Sequence, residues 1–397
     1  MAVIVACQGM GPLKAEYKFA RSQYGEAIPL FEAYLKGNPG DYSARGRLGI
    51  AYLKAGKNEK AAETLERVIR DNPGDADATL YLGVSYVNMK AFGKALTVWE
   101  QYSDPNRPLV EAEIRRQVTL LKIAESQRIA KASLARETQV GTAPVDQDTI
   151  AVCYFQDLSP DKTLRAFQKG LAAMVISDLA KIKSVKVVER LQLQALLGEM
   201  KLGQTGIVDL ATAPRVGRLL GASTLVVGDL KLGSVQVSAS LASTVAQQVQ
   251  GTTTVTVEME NFFDISPAIV SDVAHMLGIE LSASQMAAIG TVHTKNFKAF
   301  SYFGQALDAL DGGNWAAAQA FFDKAVREDP KFGLAKAGGE SCPGGGSPDV
   351  GAVSAAQVAS AVQDSVESAM TEQEASAAEA NTETGGGGGD GGGGGSH

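Results

Sequence analysis

The sequence predicts an α+β multidomain chain: an α-solenoid at the N-terminus, a central α/β sandwich around a mixed sheet, one further helical hairpin and a disordered tail. Three observations predict it. Apolar residues recur at one long fixed interval before residue 108, short β-branched runs alternate with amphipathic stretches over 148–290, and from Gly338 the chain turns to Gly, Ser, Ala and acidic residues.

The recurrence defines the first element. Ala27, Ala61 and Ala95 are spaced by 34 residues, and Pro39 with Pro73, Leu48 with Leu82, Gly49 with Gly83, and Tyr52 with Tyr86 share that interval. Phe31, Leu65 and Trp99 fill one equivalent large position. Small residues let two antiparallel helices approach, the large residue fills the gap above them, and Pro39 and Pro73 stop the second helix. Asn-Pro-Gly-Asp at 38–41 and again at 72–75 gives a turn and then a carboxylate to cap the next helix. The pattern resembles the tetratricopeptide (TPR) repeat. Three repeats are read over 14–108, the third degenerate where residues 104–108 replace the usual stop. The recurring positions are interior packing. Protein binding in such solenoids belongs to the concave face made by the first helices, where Arg45, Asn88 and Lys90 are the candidates.

Residues 109–147 read as a capping helix, with Val110, Ile114, Val118, Leu121 and Ile123 apolar, and then a linker whose Gly141 and Pro144 mark a boundary. The periodicity then changes class. A strand is expected at 149–155, a turn at 158–161, a helix at 163–182 and a strand at 185–188. Next come a helix holding Leu191, Leu193, Leu196 and Leu197, a helix over 210–220 and a strand at 224–228. Strands linked through helices indicate an α/β layer fold. Segments 235–244 and 252–260 alternate, with Val235, Val237, Ala239 and Leu241 sharing a face with Val255, Val257 and Met259. The opposite face sets Gln236, Ser238 and Ser240 against Thr254, Thr256 and Glu258, a half-buried antiparallel hairpin. A helix over 267–281 closes the domain.

Ile150-Ala151-Val152 with Phe155, Val187-Val188-Glu189-Arg190 with Leu193, and Gly221-Ala222 before Leu225-Val226-Val227-Gly228 occur in a telling order. Together they resemble the curli-production transport (CsgG) superfamily over residues 148–285, whose relatives include FlgO-like outer-membrane lipoproteins and periplasmic activators of peptidoglycan synthases. The resemblance implies a periplasmic, lipid-anchored protein. Cys7 behind Ile4-Val5-Ala6 then becomes the acylated cysteine of a lipobox. Neither Lys nor Arg precedes Lys14, so a complete export signal needs a basic and apolar extension upstream. Channel-forming members carry two long membrane hairpins, and each membrane strand needs about 9–11 residues. The interval of 36 residues from Gly228 to Asp264 is largely consumed by the sheet's own hairpin.

The composition narrows the chemistry. A chain of 397 residues with 45% hydrophobic and 20% charged residues and a net charge of -7 presents no basic field to steer nucleic acid. Cys7, Cys153 and Cys342 are too scattered for a disulfide framework or a metal site, and His275, His293 and His397 are the only imidazoles. No metal, no cofactor and no catalytic residue is expected. Glu189-Arg190 reads as a structural pair at a strand end, not an acid-base pair. Gly198, Gly203 and Gly206 lack the Lys-[Ser/Thr] of a phosphate loop and read as a connection between helices. No apolar run reaches 18 residues.

Tyr302, Ala306, Ala318, Phe322, Ala325 and Pro330 return in TPR order, with Gly312-Gly313-Asn314-Trp315 as the turn. One such unit cannot bury both its faces, so it must pack on the α/β domain, on the solenoid or on another subunit. The expected organisation is an anchor segment at 1–13, TPR repeats at 14–108, capping helix and linker at 109–147, a CsgG-like domain at 148–290, a TPR unit at 291–336 and a low-complexity tail at 337–397. In the tail, residues 353–380 have the pattern of a weak helix. The expected function is a non-enzymatic cell-envelope lipoprotein at the outer membrane, anchored in lipid by acylated Cys7. Its TPR surface would bind a protein partner and its CsgG-like domain would serve as an assembly platform. The alternatives are a homo-oligomeric secretion channel and a cytosolic TPR scaffold.

Overall fold

The computed structural model describes residues 11–137, 145–160, 164–201, 208–231 and 235–343. Cys7, Gly141, Pro144, Gly203, Gly206 and the chain beyond residue 343 lie outside them.

Six helices form the first unit: α1 (Gly11–Ala20), α2 (Tyr24–Gly37), α3 (Tyr42–Lys54), α4 (Asn58–Asp71), α5 (Ala76–Asn88) and α6 (Phe92–Glu100). Each packs on the next in chain order. The caps arise as the sequence dictates, because Asp41 accepts from the Ala44 amide and Asp75 from the Ala78 amide, both at 2.9 Å. Helix approach is set by glycine. A Cβ on Gly49 would lie 2.7 Å from Leu65 Cδ2, and one on Gly83 would lie 2.0 Å from the Trp99 ring. Trp99 is buried, and its indole N–H donates to the Leu80 carbonyl at 3.2 Å.

Helix α7 (Pro108–Ala135) is 28 residues long and does more than cap the solenoid. Val110, Ile114, Leu121 and Ala124 belong to the solenoid core, whereas Ala130 belongs to a core beneath the sheet. Its 28 residues extend about 42 Å at the helical rise. One helix therefore serves two cores.

The sheet contains β1 (Asp146–Val152), β2 (Gln156–Asp157), β3 (Lys186–Val187), β4 (Ala222–Lys231), β5 (Val235–Ser243) and β6 (Gln248–Val257). Its order is β3-β1-β4-β5-β6, with β2 also paired to β4. The first half is parallel and the β4-β5-β6 half antiparallel, so the sheet is mixed. The helices interleaved with and following these strands are α8 (Arg165–Leu179), α9 (Arg190–Glu199), α10 (Ala213–Leu220), α11 (Ile265–Met276) and α12 (Ala283–Ile289). Ile150, Val152, Val226 and Val237 face a core shared with α8 and α11, whereas Ala151, Cys153, Leu225 and Val227 face α9 and α10.

Local differences from expectation have physical causes. Strand β1 ends at Val152, with the Cys153 amide still donating to the Val226 carbonyl at 2.8 Å, and Cys153, Tyr154 and Phe155 stay buried, so the apolar run reports burial beyond the strand's end. Strand β4 runs ten residues because it is paired on both sides, by β1 and by β5. The hairpin register sets Gln236 against Thr256, Ser238 against Thr254 and Ser240 against Thr252, as alternation predicts. Glu258 stands one residue past β6.

Helices α13 (Phe297–Asp311) and α14 (Trp315–Glu328) form the returning hairpin, and α15 (Gly333–Ser341) follows. The hairpin packs on the α/β domain, not alone. A Cβ on Gly170 of α8 would lie 2.8 Å from Phe300, and one on Gly304 of α13 would lie 1.6 Å from the Ala166 carbonyl oxygen. Around this contact Phe262, Phe263, Phe297 and Phe300 cluster, with Phe263 and Phe297 centroids 4.9 Å apart. Helix α15 in turn rests on α7, where Arg115 pairs with Glu340.

Candidate functional site

A buried network of charges lies where α8, α9 and α13 meet beyond the end of β1. Tyr154 lies two residues beyond β1, Lys169 is on α8, Arg190 in the first turn of α9 and Asp311 at the end of α13. Lys169 Nζ stands 2.7 Å from Asp308 and 2.8 Å from Asp311. Arg190 pairs with the other oxygen of Asp311 and reaches the Tyr154 hydroxyl at 3.2 Å. Gln194 completes the set, 3.1 Å from that hydroxyl. Lys169 also sits 5.2 Å from the Tyr154 ring centre.

Side-chain exposure is 8% for Lys169, 11% for Arg190 and 2% for Asp311. Burial pushes the Tyr154 phenol well above its ordinary value, against the opposing pull of Arg190. For Arg190, burial disfavours the charge, but Asp311 and Tyr154 hold it firmly protonated. A network of this kind contributes little if both partners are removed together, but removing one leaves a buried charge unmatched.

This network floors a cavity of about 720 Å³ whose rim carries Arg165 and Lys201. A smaller cavity of about 160 Å³ continues it through Gln194 and Gly198 toward Ile123 and Gln127 of α7. Gly198 lies in the last turn of α9, so it is part of a helix and not a connection between helices.

Glu189 and Arg190 do not pair with each other. Glu189 turns to Lys122 of α7 at 2.8 Å, while Arg190 turns inward to Asp311. Sequence reasoning missed this because Asp311 is 121 residues away from Arg190 and carries no motif.

A second buried carboxylate, Asp178, is 0% exposed and binds Lys181 at 2.6 Å, His293 at 2.9 Å and the Ser266 hydroxyl at 2.6 Å. Burial opposes its charge, yet the bonds from His293, Lys181 and Ser266 hold its carboxyl below the usual range. It latches α8, α11 and the approach to α13 together.

The solenoid candidates are dispersed. Arg45 on α3 pairs with Asp71 at 2.9 Å and donates to the Pro39 carbonyl. Asn88 ends α5 and donates to Asn58 at 3.2 Å. Lys90 occupies the following turn with φ of 58° and lines an open cavity of about 510 Å³ between that turn and Glu125 and Arg128 of α7. The structure does not bring the three together. Among the described residues no group of three or more His, Cys, Asp or Glu is placed to hold a metal ion, and no helix is long and apolar enough to cross a membrane.

No curated protein matches the chain. Among solved structures, a tetratricopeptide repeat protein from Parabacteroides merdae is 13% identical over 83% of this chain and 98% of its own, with a TM-score of 0.26. The TPR2AB-domain:pHSP90 complex of yeast Sti1 is 12% identical over 90% of this chain and 99% of its own, also with a TM-score of 0.26. Family models divide the chain more sharply. Residues 18–80 match the tetratricopeptide repeat, and residues 126–243 match the curli production assembly/transport component CsgG. The chain thus combines a tetratricopeptide repeat on its N-terminal helices with a CsgG match that begins inside α7 and ends with β5.

Proposed function

We propose that this chain is a non-enzymatic scaffold of the bacterial cell envelope, anchored at the outer membrane by acylated Cys7. Its N-terminal repeats hold a protein partner, and its CsgG-like domain is the platform on which an exported polymer or envelope machine assembles. The observation that carries the reading is α7, a single helix built into both the repeat core and the sheet core. Such a helix fixes a partner-binding surface to an assembly domain without a flexible joint. The buried pairing of Asp311 with Arg190 and Lys169 adds the C-terminal helical hairpin to the same body.

The test is the mass of the particle in mild detergent by light scattering, with protein produced in bacteria from the full upstream reading frame, and mass spectrometry of Cys7. An acylated monomer or dimer supports the scaffold. A large closed ring of defined stoichiometry moves the reading to a secretion channel, and unmodified Cys7 moves it to a cytosolic TPR scaffold.

A further inference from the structure

The cavity between α8, α9 and α13 carries more positive charge than its own carboxylates neutralise. Arg165, Lys169 and Lys201 line it against Asp308 and Asp311, three cations to two anions, with Arg190 paired to Asp311 as well. The two carboxylates are already engaged by Lys169 and Arg190. Arg165 and Lys201 are exposed on the rim and have no hydrogen-bond or ion-pair partner among the described residues. This happens in a chain whose net charge is -7, so a local cationic site runs against the general sign of the surface.

The chain itself supplies the complementary charge. Beyond Lys336 there is neither Lys nor Arg, while Asp364, Glu367, Glu372, Glu374, Glu379 and Glu383 fall within 20 residues. The position of the last described residues makes the cavity accessible to them. Glu340 of α15 pairs with Arg115, and Ile123, in the smaller cavity that adjoins this one at Gln194 and Gly198, lies eight residues further along the same helix, about 12 Å at 1.5 Å per residue. Asp364 follows Pro343 by 21 residues, which span up to about 70 Å when extended.

We propose that this cavity is a carboxylate-binding site whose occupant is the acidic stretch 364–383 of the same chain. The carboxylates pair with Arg165 and Lys201 at the rim. The occupied groove is closed to other acidic segments until the stretch is displaced, so the chain carries its own competitor for that site. The inference does not depend on where in the cell the protein resides or on what its N-terminal repeats bind.

Zero-length carbodiimide crosslinking of the full chain tests it, because the stretch has carboxylates and no amine. Mapping by mass spectrometry is expected to find amide links from Lys201 to Glu or Asp within 364–383, with yield about fivefold or more above that at exposed Lys57 and Lys90. Arg165→Glu, an exposed substitution that leaves Lys201 intact, is expected to lower the Lys201 yield severalfold, as is added salt. Equal yields at Lys57, Lys90 and Lys201, or no link at Lys201, overturn the site. A mixture of isotopically light and heavy chains decides the source: links only within a chain support the assignment, and links between chains overturn it in favour of a site for carboxylates of another molecule.

Discussion

The Tyr52 hydroxyl donates to Glu32 on the preceding helix as the Tyr86 hydroxyl donates to Glu66, and both members of the pair are offset by 34 residues. Each ring also has its own lysine, offset by the same interval, with Lys60 at 5.7 Å from the Tyr52 centre and Lys94 at 5.5 Å from the Tyr86 centre. The repeat is thus a repeat of interactions between neighbouring helices. Burial, then the bond to Glu32, pushes the Tyr52 phenol up to about 12, and burial with Glu66 raises Tyr86 as well. A raised phenol holds its proton longer in the folded chain than in the unfolded one. Stability from these groups is therefore complete below the ordinary phenol value near 10 and is lost as pH rises toward about 12. Urea unfolding at pH 8, 10 and 11.5 should show that decline, and Tyr52→Phe should flatten it while costing about 0.5–1.5 kcal/mol at pH 8.

Glycine substitutions should rank by what the new methyl meets. Gly83→Ala drives into the rigid Trp99 indole, whereas Gly49→Ala meets the end of the flexible Leu65 side chain. Both should destabilise by about 1–3 kcal/mol, with Gly83→Ala the worse. Thermal melts of the two variants side by side check the order; an equal or reversed order would show that helix spacing, not ring contact, sets the cost.

Asp311→Asn removes the carboxylate that holds Lys169 and Arg190 from opposite sides. The loss should be about 3–5 kcal/mol, since two largely buried cations lose their shared partner. The change should also loosen α13 from α8, seen as faster limited proteolysis between 291 and 343. Asp308→Asn, at a carboxylate 42% exposed, should cost far less.

Asp178 sets an acid limit. Its carboxyl sits below the ordinary range, so its contribution is fully present above the unfolded value near 4 and is lost as pH falls through the lower folded value. Asp178→Asn should remove part of the stability lost on acidification below pH 4, measured by circular dichroism, and should lower stability at pH 7.

Cys153 should stay silent toward alkylating reagents. Burial pushes its thiol up to about 12, so iodoacetamide at pH 8 should modify it only after denaturant unfolds the domain.

The solenoid and the hairpin were legible in the sequence because each is written in local periods. The spacing of Gly83 and Trp99 specifies a close helix pair, and the Gln236, Ser238, Ser240 alternation specifies a face and a register. The candidate site was not. Lys169, Arg190 and Asp311 lie on three helices separated by long stretches, and a charged residue on a helix reads as solvated until the partner helix is in place. Glu189 and Arg190 show the limit most directly: adjacent in sequence, they point to different elements. The sequence alone leaves the seat of the C-terminal helical hairpin as one of three choices. Gly170 and Gly304 decide it, each by the absence of a side chain against the other's helix.

The continuity of α7 makes the geometry of the whole chain a matter of helical phase. Each residue in an α-helix advances the axis by 1.5 Å and turns it by about 100°. Inserting one residue between Ala124 and Ala130 would swing the repeats about 100° around the sheet, whereas inserting seven would return them to nearly the same side about 10 Å further out. The number of residues in this stretch is thus an angular setting, and single-residue length changes there reorient the surface of the repeats without altering any residue on it.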